Sequence, residues 1–411
     1  MSSTTLVSLL DNDLYKFTMQ NVVLKQYPDV HVVYQFTNRD KSLQLNADAY
    51  EWLRQKIKAL GQLQLTPQER EFLNKLPFLD DTYLDYLSAF QYKPDQHITS
   101  QFDPTTNDLQ LEISGLWHET ILYEVPLLAL ISEAYFKFVD RDWDHAGQRE
   151  QALAKGKRLL EAGCQFSEFG TRRRRDFQTH DLVLGSLHQA NKDYQLACQT
   201  AGQSPVGALS GTSNVYLAMK YNVVPIGTVA HEFFMAMSAL EGVAGANRRT
   251  LEIWHDVYQG ALGIALTDTF TTQVFLNDFD AQLAAQYTGV RQDSGNPRDF
   301  VPLMVEHYKS LGIDPHTKVI VFSDALDVDR AIDLLQLTQQ HGIKASFGIG
   351  TSFTNDFTKL SQPTEKSKPM NIVIKLKECK GKRVIKLSDD VLKHSADEAT
   401  IDQFKHQLGI A

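Results

Sequence analysis

Cysteine is scarce: Cys164, Cys198 and Cys379 are the only three in 411 residues, odd in number and far apart. No disulfide framework and no cysteine-based metal spacing can be built from them, and a reducing compartment is the natural setting. Long apolar runs are missing too. Leu6 to Leu10 is short and has neither a basic flank nor a cleavage site, so neither a secretory signal nor a bilayer span is predicted. Positive charge is not in excess: the formal net charge of −9 argues against the basic face that nucleic acid requires. It leaves room for an anionic substrate, because a basic pocket can sit inside an acidic shell. No Walker P-loop or Rossmann Gly-x-Gly-x-x-Gly follows a strand-like run, and no internal repeat interrupts the chain. The expectation is a cytoplasmic protein, with the nucleus also open to it, that binds neither nucleic acid nor membrane.

The length calls for two or three domains. Residues 1–139 read as a mixed α/β N-terminal domain. Asp11 is a candidate cap for a helix ending at Tyr27-Pro28, and Val30 to Phe36 is rich in β-branched and aromatic residues. Thr66-Pro67-Gln68-Glu69 has the form of a capping box with proline at the first helical position. His97 to Phe102 and Leu109 to Ser114 are short strand candidates.

Residues 140–360 repeat a cycle in which a helical stretch leads to a short apolar run ending in Gly, Asp, Ser or Arg. The runs are Cys164–Phe169, Val206–Ser210, Val223–Val229, Leu262–Leu266, Thr288–Val290, Val319–Phe322 and Ala345–Ile349. Between them lie amphipathic segments such as Leu251–Tyr258, Pro302–Lys309 and Val328–Gln339. Strands alternating with helices imply parallel units, and seven runs with an eighth distorted approach the count of a closed barrel. In residues 361–411, Ser361–Pro369 reads as an exposed loop. Lys380-Gly381-Lys382 then joins Ile372–Leu376 to Arg383–Leu387 in a hairpin expected to pair with the N-terminal domain. The fold class is α/β: an irregular (β/α) barrel carrying the active site, plus a mixed α+β N-terminal domain completed by the C-terminal hairpin.

Barrel enzymes place their reactive groups at the C-terminal ends of the strands. Here those positions hold Gly170-Thr171-Arg172, Gly211-Thr212-Ser213, His231-Glu232, Asp268, Arg291-Gln292-Asp293-Ser294-Gly295, Ser323-Asp324 and Gly348-Ile349-Gly350-Thr351. Basic groups for phosphate, carboxylates for Mg²⁺, small backbone-donor loops and one histidine suit a phosphorylated sugar. Each has a plainer reading. A run such as Arg172–Arg175 is as often a solvated face, and its place after a strand-end glycine favours substrate, with Arg172 inward and some of the others toward solvent or a partner. A lone Gly-x-Gly is usually a turn. A histidine is more often structural than functional, but His231 stands at a strand end beside Glu232.

Several of these segments together resemble the nicotinate phosphoribosyltransferase family, of the fungal and enterobacterial type, from Leu9 to about His394. They are Leu9-Leu10-Asp11-Asn12-Asp13-Leu14-Tyr15-Lys16, Phe36-Thr37-Asn38-Arg39, Glu168-Phe169-Gly170-Thr171-Arg172, Gly227-Thr228-Val229-Ala230-His231-Glu232 and Arg291-Gln292-Asp293-Ser294-Gly295-Asn296-Pro297. Ser323-Asp324 and Gly348-Ile349-Gly350-Thr351 complete the ordered set.

The resemblance implies that nicotinic acid and phosphoribosyl pyrophosphate are joined with release of pyrophosphate, in NAD biosynthesis. Mg²⁺ and ATP would assist, the ATP being spent through a phosphohistidine at His231. Phe169, and Tyr15 from the other subunit of a homodimer with shared sites, would sandwich the pyridine ring. Arg172 would bind the ring's carboxylate. Arg291 and Asp293 would hold phosphoribosyl pyrophosphate, with Gly350 and Thr351 receiving its 5′-phosphate. Asp268 would orient His231, and Ser323, Asp324 and Gly348 join the substrate-binding set. No metal ligand set and no role for Arg173, Arg174 or Arg175 is implied.

Ser213 separates this reading from a nicotinamide phosphoribosyltransferase, whose resemblance places an acid after Gly-Thr to accept from the carboxamide. A serine hydroxyl can instead donate to a carboxylate. A sugar-phosphate aldolase or isomerase on the same barrel would need a Schiff-base lysine or a paired acid and base at the strand ends, and none stands out. A pseudoenzyme would have lost one of Arg291, Asp293, Asp324 or His231; all are present.

Overall fold

A computed structural model describes residues 7–390 and 398–410. Leu6 and His394, which bounded two of the features above, lie outside them. The first strands are β1 (His31–Asn38), β2 (Ile98–Asp103) and β3 (Asp108–Leu116). The parallel strands are β4 (Gln165–Glu168), β5 (Ala208–Thr212), β6 (Ile264–Leu266), β7 (Gly289–Gln292), β8 (Val319–Phe322) and β9 (Lys344–Ile349). Two short strands, β10 (Phe357–Thr358) and β11 (Lys366–Ser367), precede β12 (Ile372–Cys379) and β13 (Lys382–Arg383).

An antiparallel sheet in the order β13-β12-β1-β3-β2 puts β1 at its centre, between a strand of the chain's end and one of its beginning. Its inward face follows from period-two alternation: Val32, Tyr34 and Phe36 of β1, with Ile372, Ile374 and Leu376 of β12, are buried. The turn Lys380-Gly381 has φ of 51° and 71°, the doubly left-handed geometry that matches strand twist in a two-residue hairpin. The hairpin's second strand is shorter than expected. After Arg383 the chain leaves the sheet and crosses toward the other sheet's strand ends, where the Leu387 N–H donates to Thr269 O at 2.9 Å.

The second sheet is parallel, in the order β5-β4-β9-β8-β7-β6. Six of the seven apolar runs are its strands. The seventh, Val223–Val229, is not a strand. It makes only an isolated parallel bridge, Thr212 to Pro225, because proline has no N–H to continue a ladder. The segment nonetheless links the two sheet edges: Ile226 N donates to Thr212 O at 2.8 Å, and Thr228 Oγ1 donates to Leu262 O at 2.8 Å. Gly211 permits the close approach, since a Cβ there would lie 1.9 Å from Val224 O. The ring is therefore six regular strands closed by an irregular seventh segment, and no eighth strand belongs to it among the described residues.

Helices Ala246–Tyr258, Pro297–Ser310 and Val328–His341 carry the predicted amphipathic segments. The capping box at Thr66 is present, with Pro67 at the first helical position. Asp11 does not cap the first helix. That helix, Leu14–Gln26, starts after Asp13, while the Asp11 carboxylate is taken by Arg174 and Asn214. Part of Ser361–Pro369 is ordered as β11, paired with β10. Among the described residues no helix is long and apolar enough to cross a membrane.

Candidate active site

The strand ends converge on two groups of side chains. The first gathers residues from β6, β7 and β8, the helix His231–Leu240 and the segment after β13. His231 Nε2 lies 3.0 Å from Asp293 Oδ2, and Nδ1 lies 2.9 Å from Thr269 Oγ1. Arg291 donates to Asp293 Oδ1 at 3.0 Å and to Ser323 Oγ at 2.8 Å, and Ser323 donates to the same carboxylate at 2.7 Å. Burial opposes ionisation of Asp293, but Arg291, His231 and Lys386 outweigh it and hold this carboxyl well below its usual range.

Asp268 is buried beside His231 without touching it. Its Oδ1 is 3.7 Å from Nε2, and its other oxygen accepts from Ser294 at 2.5 Å and from Lys386 at 3.0 Å. The ring's immediate partners are therefore Thr269, Asp293 and Lys386. Lys386 is the residue that sequence reasoning missed. Its Nζ stands 2.8 Å from His231 Nε2, and only 5% of the residue is exposed. The one available signal was a single lysine inside the otherwise apolar Val384-Ile385-Lys386-Leu387. Burial first, and then the Lys386 ammonium, lower the imidazole pKa to about 4 in spite of the two aspartates. A neutral ring carries one N–H and one lone pair; here Nδ1 faces Thr269, and Nε2 faces Lys386 and Asp293.

The second group surrounds Arg172, after β4. Of the four consecutive arginines Arg172 is the most exposed, with 46% of its side chain open, so the expected inside-out arrangement is reversed. Arg174 and Arg175 are fully buried, and each has a structural partner. Arg174 holds Asp11 through both terminal nitrogens at 2.7 and 2.9 Å and reaches Glu133 through Nε at 3.0 Å. The Arg175 guanidinium lies 3.6 Å from the Phe136 ring centre and 4.1 Å from that of Phe357, and donates to Ser367 at 2.9 Å. Arg173 donates to Ile372 O at 3.0 Å, tying the turn to β12. Replacing Arg174 by methionine strands Asp11 and Glu133 in the core, and about 3–5 kcal/mol of stability should be lost. Urea unfolding measures this; a midpoint within error of native would mean that the cluster relaxes or hydrates.

Arg172 approaches Glu124 Oε1 at 3.4 Å, and Tyr15 of the same chain donates to Glu124 Oε2 at 3.4 Å. The first helix reaches this place because Leu14 N donates to Ser213 O at 2.8 Å and its backbone packs on Gly227. Within one chain, Tyr15 and Arg172 thus share the Glu124 carboxylate. Ser213 Oγ donates to the buried Asp13 carboxylate at 2.8 Å, so its hydroxyl hydrogen is already committed. Burial raises the Asp13 pKa against the opposing pull of Arg172, Thr171 and Ser213.

Phe169 and the Gly348–Thr351 turn lie between the groups, on adjacent strands. Phe169 N donates to Ile349 O at 2.8 Å, and a Cβ on Gly350 would sit 2.8 Å from Phe169 O, so only glycine fits there. Glu168, fully buried, sets the turn after β4 by accepting from Thr212 at 2.6 Å, from His180 at 2.8 Å and from the Gly170 N–H. Asp324 is half-buried directly after β8.

Residues 164–411 match the model of the nicotinate phosphoribosyltransferase family, and residues 10–132 match its N-terminal domain. The chain belongs to the nicotinate phosphoribosyltransferase family. A Saccharomyces cerevisiae nicotinate phosphoribosyltransferase is 43% identical, covering 100% of this chain and 96% of the relative. One from Methanosarcina mazei is 44% identical over 98% of each. A solved Saccharomyces cerevisiae structure superposes with a TM-score of 0.94 at 41% identity, covering 100% of both chains. The likeness to that solved structure spans the whole chain.

Proposed function

We propose that this enzyme transfers the phosphoribosyl group of phosphoribosyl pyrophosphate to nicotinic acid, giving nicotinate mononucleotide and pyrophosphate for NAD biosynthesis. The observation that carries this reading is the division of the strand ends. One group holds an exposed arginine that shares Glu124 with Tyr15, and the other an arginine, two carboxylates, a lysine and an unprotonated histidine. The first suits a flat anionic base, with Arg172 opposite the carboxylate and Phe169 and Tyr15 about the ring. The second suits phosphates, with Arg291, Asp293, Ser323 and Asp324 toward phosphoribosyl pyrophosphate and Gly348, Gly350 and Thr351 toward its 5′-phosphate.

The pyridine nitrogen has a free lone pair and needs no general base. It attacks C1 of the ribose as the C1–O bond to pyrophosphate breaks, through a transition state with oxocarbenium character. The protein's task is alignment and stabilisation of the leaving charge by Arg291. Mg²⁺ fits the donor set: Asp268 Oδ1 is buried without a hydrogen-bond partner, and Asp293 and His231 lie close enough to share an ion with it. Asp268 and Asp293 would hold it, where it would neutralise phosphate charge.

His231 would accept the γ-phosphoryl group of ATP on an unprotonated Nε2 as the bond to ADP breaks and ADP leaves, with Lys386 and Arg291 as counter-charges. Loss of that phosphate to water draws the transfer forward. A homodimer with shared sites, in which Tyr15 of one subunit reaches the other's pyridine ring, is part of this reading. Mixing Tyr15→Ala with Arg291→Ala protein should then restore some activity, since a heterodimer holds one site with both residues intact; no rescue despite demonstrated subunit exchange would count against a shared site.

The carboxylate of Asp13 is the single observation on the side of nicotinamide, since it can accept an amide hydrogen. Purified protein given phosphoribosyl pyrophosphate, Mg²⁺ and either base decides the matter by chromatography. Nicotinate mononucleotide is the expected product, and turnover of nicotinamide alone would overturn the assignment.

A further inference from the structure

The two groups of the active site are joined by buried charge. Lys16, in the first helix, is fully buried between two carboxylates: its Nζ is 2.6 Å from Glu124 Oε2 and in direct contact with Glu232. Glu124 is the carboxylate that Tyr15 and Arg172 also share. Glu232 directly follows His231 at the start of the helix His231–Leu240, and is anchored by Tyr34 Oη at 2.6 Å and Trp117 Nε1 at 2.7 Å. The chain Arg172–Glu124–Lys16–Glu232 alternates in sign and sums to zero charge. No step of the transfer uses Lys16, Glu124 or Glu232.

We propose that Glu124 and Lys16 are positioning residues that couple occupancy of Arg172 by an anionic base to the placement of His231. The proposal rests on the activity assigned above. Arg172–Glu124 is the longest contact of the chain and its only exposed one, so a base carboxylate competes with Glu124 for the guanidinium there. Glu124 then keeps Lys16 and Tyr15 as partners and draws harder on the ammonium. Glu232, fixed by Tyr34 and Trp117, feels that change at the first turn of the helix that begins with His231. A shift well under an ångström matters where a phosphoryl group must meet Nε2 in line. Coupling of this kind is reciprocal in binding: if the base favours the phosphorylatable arrangement, bound ATP favours the base in turn.

The test compares the KM for nicotinate with and without ATP, and the labelling of His231 by γ-labelled ATP, in native, Glu124→Gln, Lys16→Met and Lys16→Arg proteins. In native protein ATP should lower the KM. In Glu124→Gln and Lys16→Met that effect should shrink at least tenfold while labelling persists, and Lys16→Arg, which can still bridge two carboxylates, should recover most of it. A native-sized ATP effect in Glu124→Gln overturns the proposal. So does loss of labelling in parallel with the KM effect, which is what simple structural damage would produce. If Lys16→Met does not fold, Glu124→Gln carries the test, because the amide keeps the shape and can still bond Tyr15. Absence of mononucleotide from native protein would instead overturn the activity itself.

Discussion

His231→Ala protein is expected to take up no label from γ-labelled ATP, while some transfer of phosphoribose to nicotinate persists without ATP at high substrate. The two outcomes separate because they depend on different atoms. The pyridine nitrogen is already a nucleophile, whereas a stored phosphate needs the Nε2 lone pair that Lys386 and Asp293 face. Native labelling should also resist acid. With the imidazole held down to about 4, the ring stays unprotonated and nucleophilic from pH 8 to near pH 5, and fails only as pH falls through its pKa. The adduct is acid-labile, so reactions are quenched in alkali before counting. Equal labelling of the alanine variant would move the phosphate to another residue. A midpoint near pH 6.5 would mean that burial and Lys386 do not control the ring.

Ser213→Asp should cost nicotinate roughly ten- to several-hundred-fold in kcat/KM and nicotinamide much less. Two unit charges about 4 Å apart in an effective dielectric near 20 repel by about 4 kcal/mol before relaxation, which sets the upper end. The structure adds a condition. Ser213 already donates to Asp13, so the introduced carboxylate lands beside another, and such a pair shares one proton until pH rises. At low pH the pair carries a single charge and the penalty is small. As pH rises and the shared proton leaves, the second charge appears and nicotinate is rejected. The ratio of kcat/KM for the two bases should therefore widen between pH 6 and pH 8.5. A ratio equal to native across that range would show that this position does not read the base.

The parallel sheet was legible because buried strands announce themselves as short apolar runs ending in small or charged residues. Val223–Val229 has the same composition and is not a strand, since composition does not register that Pro225 cannot donate. Arg291, Asp293, Ser323 and His231 could be placed together because all stand at strand ends. The arginine run was misread for a related reason. Four like charges in sequence suggest solvent, but the turn after β4 plunges back into the core, where Asp11, Glu133 and an aromatic cage receive Arg174 and Arg175. Those partners are distant in sequence, and no local pattern reveals them. Lys386 was hidden likewise, standing beside His231 on a segment that pairs as structure.

That crossing segment has a consequence for how the enzyme comes into being. β1 waits for β12 to become an interior strand, and His231 waits for Lys386 to complete its surroundings, so both depend on residues made long after them. Sequence separation of this size makes closure slow. A chain still being synthesised can assemble much of the parallel sheet first, as domains form in order of emergence. It would nonetheless lack coupling to ATP, with an incomplete sheet edge and a histidine without its lysine. Coupling to ATP should switch on only when the stretch around residue 386 is free to dock, which ties phosphate use to the late-made part of the chain.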